Sequence, residues 1–316
     1  MSVLAISASH TPLKDHNPPA PEVQAEVDAC FDRLREEVAR FAPELVLAFG
    51  PDHFNAFFYR LMPSFCIGAE SASIGDWNTP AGALPSDPVL AEAAAAHAHA
   101  QGVDLAISHR MEVDHGHTQL LQLLFNWSEL PPVLPVFINC VAAPRPPLPR
   151  VAALGRALGE FVGTLNKRVL ILGSGGISHD PPVPALNGAP PEVRERLIAG
   201  GTVSPEARAA RQARVLEEAK LQVAGTSRGV PLNPVWDRAF LAALEAQDFD
   251  ALTHYTDADI SRDGGRGGHE IRAWIATAAA MQALGAPAPK VALYHAIPEW
   301  VAGFAVATQG PVAGAR

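Results

Sequence analysis

Strands that are apolar on both faces constrain a chain strongly, because only a sheet covered on both sides accommodates them. Such runs recur in this sequence: "VLAIS" (3–7), "LVLAFG" (45–50), "DLAIS" (104–108), "VLPVFIN" (133–139) and "RVLILGS" (168–174). Helical patterns lie between them. In "PEVQAEVDACFDRLREEVARF" (21–41), Val23, Val27, Cys30, Leu34, Val38 and Phe41 advance by threes and fours, the spacing of one buried helix face. "DPVLAEAAAAHAHAQ" and "VAALGRALGEFVGTL" also read as helices. The alternation predicts an α/β fold with a mostly parallel central sheet flanked by helices. From about residue 187 to 286 the pattern becomes helical, and "KVALYHAI" with "EWVAGFAVAT" then returns to the sheet. The Pro-rich stretches at 143–149 and 181–190 read as loops. The sequence therefore predicts one domain over residues 1–316, with a helical region in its C-terminal half.

Composition narrows the function. Hydrophobic residues make up 48% of the 316 and charged residues 18%, as in a globular protein able to bury a substantial core. A net charge of -9 argues against nucleic acid or an anionic membrane as partner, although a local basic patch can still bind an anionic small molecule. No apolar run approaches the roughly 18 residues of a membrane span. The N-terminal "MSVLAISASHTP" has no basic leader and reads as a first strand rather than a signal peptide. Three widely spaced cysteines (Cys30, Cys66, Cys140) read as reduced, buried thiols of a cytoplasmic protein.

Ligands of parallel α/β sheets bind beyond the carboxyl ends of strands. Histidines follow that rule here. His10 follows "VLAISAS", His53 follows "LVLAFGPD", His179 follows "VLILGSGGIS", and His115 in "EVDHGH" lies past "DLAIS" and before an apolar helix. Any one of them alone is more often a capped or hydrogen-bonded structural residue; four at equivalent positions point to a shared site. His16, His97, His99, His109, His254 and His295 have no such companion pattern. Imidazoles without a cysteine pattern suit a divalent metal bound by nitrogen and oxygen, and an anionic ligand is then expected. "GGRGGHEIRAW" supplies the candidate Glu270, beside His269 at a helix start. Two histidines and Glu270 would make a facial triad; equally, a glutamate in a first turn simply complements the helix dipole. "LGSGGISH" matches neither a dinucleotide fingerprint nor a serine elbow, and its glycines are expected to let the backbone approach a ligand and aim His179 at it.

Taken together, "SHTPL" (9–13), "PDHFNAFFY" (51–59), "VDHG" (113–116), "LPVFIN" (134–139), "TLNKRVLILGSGGISHDPPVP" (164–184), "PLNPVWD" (231–237), "HEIRAW" (269–274) and "IPEWVAGF" (297–304) resemble the class III, LigB-type extradiol catechol dioxygenases. Within that family the likeness is greatest to enzymes that open 3-substituted catechols such as 2,3-dihydroxyphenylpropionate or the matching cinnamate. It implies Fe(II) held by His10, His53 and Glu270, His115 as proton donor and His179 as proton acceptor. It also implies a catechol and O2 as small-molecule partners and a homo-oligomeric assembly. Asp114 is expected either to orient His115 or to cap the following helix, and Asp52 and Asn55 to support His53 or shape its loop. Phe54 is a candidate pocket wall, and His117 stands close to the site where relatives carry an aromatic residue. For a substrate carboxylate, Lys14, Arg60 and Arg110 are the candidate cations. The residues alone leave two other readings: a zinc hydrolase on the same cluster, and a metal-free binding or scaffold protein.

Overall fold

The computed structural model describes residues 2–183, 185–201 and 204–313. Pro184, in the second Pro-rich stretch, and the ends of the expected 1–316 span lie outside them. Among the described residues there are eleven strands: β1 (Ser2–Ala8), β2 (Leu45–Gly50), β3 (Phe65–Gly68), β4 (Ser71–Ile74), β5 (Ala81–Ala83), β6 (Ala106–Ser108), β7 (Met111–Val113), β8 (Val133–Ile138), β9 (Arg168–Ser174), β10 (Lys290–Ile297) and β11 (Ala302–Ala313). The α-helices are α1 (Pro21–Phe41), α2 (Pro88–Ala100), α3 (His115–Leu124), α4 (Leu148–Gly163), α5 (Pro191–Ala199), α6 (Pro205–Val223), α7 (Pro234–Glu245), α8 (Phe249–Thr253), α9 (Asp257–Asp263) and α10 (Ile271–Ala283).

Eight strands form the central sheet in the order β10-β11-β1-β9-β2-β8-β3-β6, and β5-β4-β7 make a small second sheet. β1, β9, β2 and β8 are mutually parallel and almost wholly buried. These are the runs that lacked polar alternation, and helices cover both of their faces as that composition demands. The sheet is mostly, not purely, parallel: β11 runs antiparallel to β1 and to β10, and β3 antiparallel to β8. α1 begins and ends where its periodicity indicated and buries Val27, Cys30, Leu34 and Val38, with Phe31 added.

One expected strand differs. "DLAIS" is reduced to the short edge strand β6, which pairs parallel to β3 and so runs opposite to β1, β2 and β9. Its carboxyl end therefore faces away from theirs. The chain turns back through β7 before it reaches His115.

α4 packs directly on α10 through small residues. A Cβ on Gly155 would overlap the Ala276 carbonyl, and one on Gly159 the Ala280 carbonyl. The backbones meet because neither glycine has a side chain to hold them apart. Gly159→Val is expected to destabilise the fold by about 1–3 kcal/mol through overpacking, read as a lower urea midpoint at unchanged m.

Candidate active site

Three of the four histidines arrive as the sheet topology dictates. β1, β2 and β9 end side by side, and the loops beyond them carry His10, His53 and His179. His115 opens α3 instead, delivered by β7 of the small sheet. The rings of His10 and His53 lie 5.4 Å apart, as do those of His10 and His115, while His53 stacks on His115 at 4.4 Å. Nitrogens of His10, His53 and His115 all come within 4.8 Å of one another, the spacing a single ion would bridge.

Glu270, buried at the end of a short 3-10 turn before α10, reaches into this group. Its carboxylate lies 3.5 Å from His10 Nε2, 3.3 Å from His53 Nε2 and 3.4 Å from His179 Nε2. The Gly176 N–H donates to Glu270 Oε2 at 2.8 Å. The glycines of "GSGGISH" let the chain pack against both groups: a Cβ on Gly176 would overlap the His179 ring, and one on Gly175 would overlap Glu270. Burial opposes charge on Glu270, yet His179 and His10, with the hydrogen bonds of His179 and His53, hold its carboxyl well below the usual range. Burial pushes His10 down to about 3, leaving a neutral imidazole of the kind a metal takes. Gly267 permits the packing of His179, since a Cβ there would overlap its Nε2.

Each ring is oriented through its other nitrogen. Ser174 Oγ is 3.0 Å from His10 Nδ1, and the Ile177 carbonyl accepts from His179 Nδ1 at 3.1 Å. Asp114 accepts from the His53 backbone N–H at 2.8 Å and pairs with His53 Nδ1 at 3.0 Å; Asn55 donates to the same oxygen at 2.7 Å. Burial works against a proton on His53, but Asp114 and Glu270 outweigh it and raise its pKa. Asp114 also caps α3 through the Gly116 N–H at 2.9 Å. It thus caps the helix as expected, while the histidine it orients is His53, not His115.

His115 is held by a residue the sequence reading missed. Asp76 accepts from the His115 N–H at 2.8 Å and pairs with Nδ1 at 2.6 Å. It sits at the start of "DWNT", a turn in which Trp77 and Asn78 adopt left-handed φ values of 49° and 63°. A Gly-Asp before a turn was the available signal, but nothing local ties it to a histidine 39 positions on.

Of the two roles open to Asp52, the structure shows the loop-shaping one: its carboxylate accepts from the backbone N–H groups of Asn55, Ala56 and Phe57. Two expectations are corrected. His117 is buried behind the site and lines no part of the cavity. Lys14 is ion-paired with Asp28 at 2.8 Å, and Arg60 and Arg110 are exposed outside the cavity, so none of the three is placed to meet a substrate. Phe54 does form part of the wall, in a left-handed conformation at φ 55°. The cavity, of about 150 Å³, is lined by His10, His53, His115 and His179, by Trp77 and Phe58, and by arginines of α5 and α6. His269 points elsewhere, bound to Ser261 and Arg272.

Residues 4–305 match the family described as the catalytic LigB subunit of aromatic ring-opening dioxygenase. The chain belongs to this family. LigB relatives with curated names include a protein of Cupriavidus pinatubonensis, 52% identical over 96% of this chain and 97% of its own length. Another, from Cupriavidus necator, is 51% identical with the same coverage, and one from a Rhodococcus species is 46% identical over 98% of both chains. All three are named 2,3-dihydroxyphenylpropionate/2,3-dihydroxicinnamic acid 1,2-dioxygenase. Membership makes this LigB chain a ring-opening dioxygenase, an enzyme class that implies a metal cofactor, and sets aside the hydrolase and scaffold readings. The donor set fits one: two imidazoles and a buried carboxylate converge, with the outer nitrogens of the rings already held by the protein.

His117 has neither ring nitrogen in hydrogen-bonding geometry. Burial pushes it down to about 4, against the pull of Asp114 and the flanking Val136 and Pro51 carbonyls. An unfolded histidine titrates near 6.5, so the unfolded chain binds more protons between about pH 6.5 and 4, and stability falls as pH drops through that window. Urea titrations of metal-free protein at pH 7 and 5 should show a smaller loss in His117→Leu than in the wild type. At pH 7 the variant should be at least as stable.

Proposed function

We propose that the protein is an Fe(II)-dependent extradiol dioxygenase that opens the ring of a 3-substituted catechol such as 2,3-dihydroxyphenylpropionate or 2,3-dihydroxycinnamate. The observation that carries this reading is the convergence of Glu270 with His10, His53 and His179 beside His115 on one cavity. Relatives at about half identity, named for those two substrates, support the substrate class. The family match over residues 4–305 supports one catalytic domain spanning 1–316. Free, buried Cys30, Cys66 and Cys140 support a cytoplasmic setting. The assembly is taken to be a homo-oligomer by family likeness.

In this reading His10, His53 and Glu270 hold the metal. Bound Fe(II) supplies a docking point for both catechol oxygens and the one-electron chemistry that O2 requires. The protein's own groups manage protons and position. His179 donates its Nδ1 proton to Ile177, which keeps Nε2 for accepting a catechol hydroxyl proton. Burial lowers its basicity and the Glu270 carboxylate beside it raises it. His115, locked through Nδ1 to Asp76, keeps Nε2 without a protein hydrogen bond and so able to carry the proton that the breaking O–O bond requires. Asp76 and Asp114 fix the imidazole orientations, and Trp77 and Phe54 wall the ring's space.

Anaerobic Fe(II) loading followed by air and 2,3-dihydroxyphenylpropionate should produce the yellow ring-fission chromophore; no colour with any 3-substituted catechol would rule the activity out. His115→Gln and His179→Gln should keep iron and lose about 100- to 10,000-fold in kcat, the usual worth of a positioned acid or base. His53→Ala should lose the iron itself, measured by metal analysis after desalting. Iron loss in either glutamine variant would reassign that histidine as a ligand.

A further inference from the structure

One side of the cavity is lined with arginine, and the ring-opening chemistry makes no use of it. Arg196 of α5 and Arg208, Arg211 and Arg214 of α6 all border the space that the four histidines open on. This concentration of positive charge occurs in a chain whose net charge is -9. Among the described residues none of the four is ion-paired, whereas Arg145, Arg262, Arg266 and Arg272 each hold a carboxylate.

Backbone bonds fix these arginines relative to the histidines. Arg211 donates from Nη2 to the His53 carbonyl at 2.8 Å, which locks α6 to the histidine loop. The same loop binds α5: the N–H groups of Tyr59 and Arg60 donate to the carbonyls of Leu197 and Ile198 at 2.9 and 2.8 Å. Arg196 and Arg211 are close enough to repel. Burial, and next the Arg196 charge, hold the Arg211 guanidinium below its ordinary pKa. Asp114, Asp52 and Asp76 offset part of this from a distance, but among the described residues no carboxylate pairs directly with either guanidinium, and an anion between the two would complete the arrangement. Phe54, Leu197 and Val215 line the same cavity and offer apolar surface to an aromatic ring.

We propose that Arg196 and Arg211, backed by Arg208, form a carboxylate subsite for the acid end of a catechol bearing a short carboxyalkyl or carboxyalkenyl chain, while its hydroxyl end lies at the histidines. This rests on the ring-cleavage reading above and adds the residues that select its substrate. A planar guanidinium matches a carboxylate with two parallel N–H donors, a geometry that lysine cannot copy. Exposed Arg214 extends the positive field toward the entrance and draws in anionic substrate.

The test compares 2,3-dihydroxyphenylpropionate with 3-propylcatechol, its uncharged analogue, in oxygen uptake by Fe(II)-loaded full-length protein. The wild type is expected to favour the acid in kcat/KM. Arg196→Met is expected to lower that preference about 10- to 100-fold, mainly through KM, the loss of charge-assisted hydrogen bonds. Arg211→Lys keeps the charge and should lower it by a smaller factor, which covers poor folding of the first variant. Calorimetry with 3-phenylpropionate, which has the acid but no hydroxyl groups, gives a readout independent of iron and turnover; its binding should weaken in both variants. Unchanged preference and unchanged binding in both would overturn the subsite while leaving ring cleavage intact. A wild type that cleaves neither catechol yet binds 3-phenylpropionate through these arginines would instead overturn the ring-cleavage reading.

Discussion

The site is organised around a buried negative charge. Glu270 is sequestered from water and touches His10, His53 and His179, each from a different loop, as well as the Gly176 N–H. An isolated carboxylate at that depth would be neutralised rather than charged. It stays ionised because imidazoles and a backbone donor surround it, and those groups are in turn drawn together by it. Losing one partner of such a buried set typically costs about 3–5 kcal/mol, enough to loosen the ends of β1, β2 and β9 together. The rest of the site inherits its geometry from this contact.

A second layer of carboxylates sets which way each ring turns. Asp114 takes His53 and Asp76 takes His115, each through both backbone N–H and Nδ1. The two stacked rings are therefore gripped from behind by separate acids, and neither can rotate without breaking its Nδ1 hydrogen bond. In the proposed mechanism this separation lets adjacent histidines carry different duties, one as a ligand and one as a proton carrier.

Much of the site was legible before the fold was known. His10, His53 and His179 could be placed because strands β1, β2 and β9 are apolar on both faces, and parallel strands present their following loops at one end. Glu270 was legible as the acid after a Gly-rich turn. His115 does join the cluster, but by another route than the one expected, since β6 runs the opposite way. Asp76 was missed, and Asp114 was linked to the adjacent His115 when it serves His53. Sequence adjacency was the only guide to these partners, and side-chain hydrogen bonds follow spatial neighbours. The cavity arginines were missed for a similar reason: Arg196, Arg208 and Arg211 lie on helices with no local mark of a site, while Lys14, Arg60 and Arg110 stood nearer the histidines in the chain.

The sequence by itself determined the layered α/β architecture, the parallel core, and the loop ends where imidazoles would gather. Period and polarity are local properties, and burial on two faces leaves few arrangements open to such strands. Tertiary structure alone decided which acid holds which histidine, that His117 is buried outside the cavity, and which arginines face it. Those relations join segments far apart in the chain, 158 positions in the case of Arg211 and His53, and depend on how α5 and α6 fold back over the strand ends. No local pattern encodes that distance; the packing of the helical region against the sheet creates it.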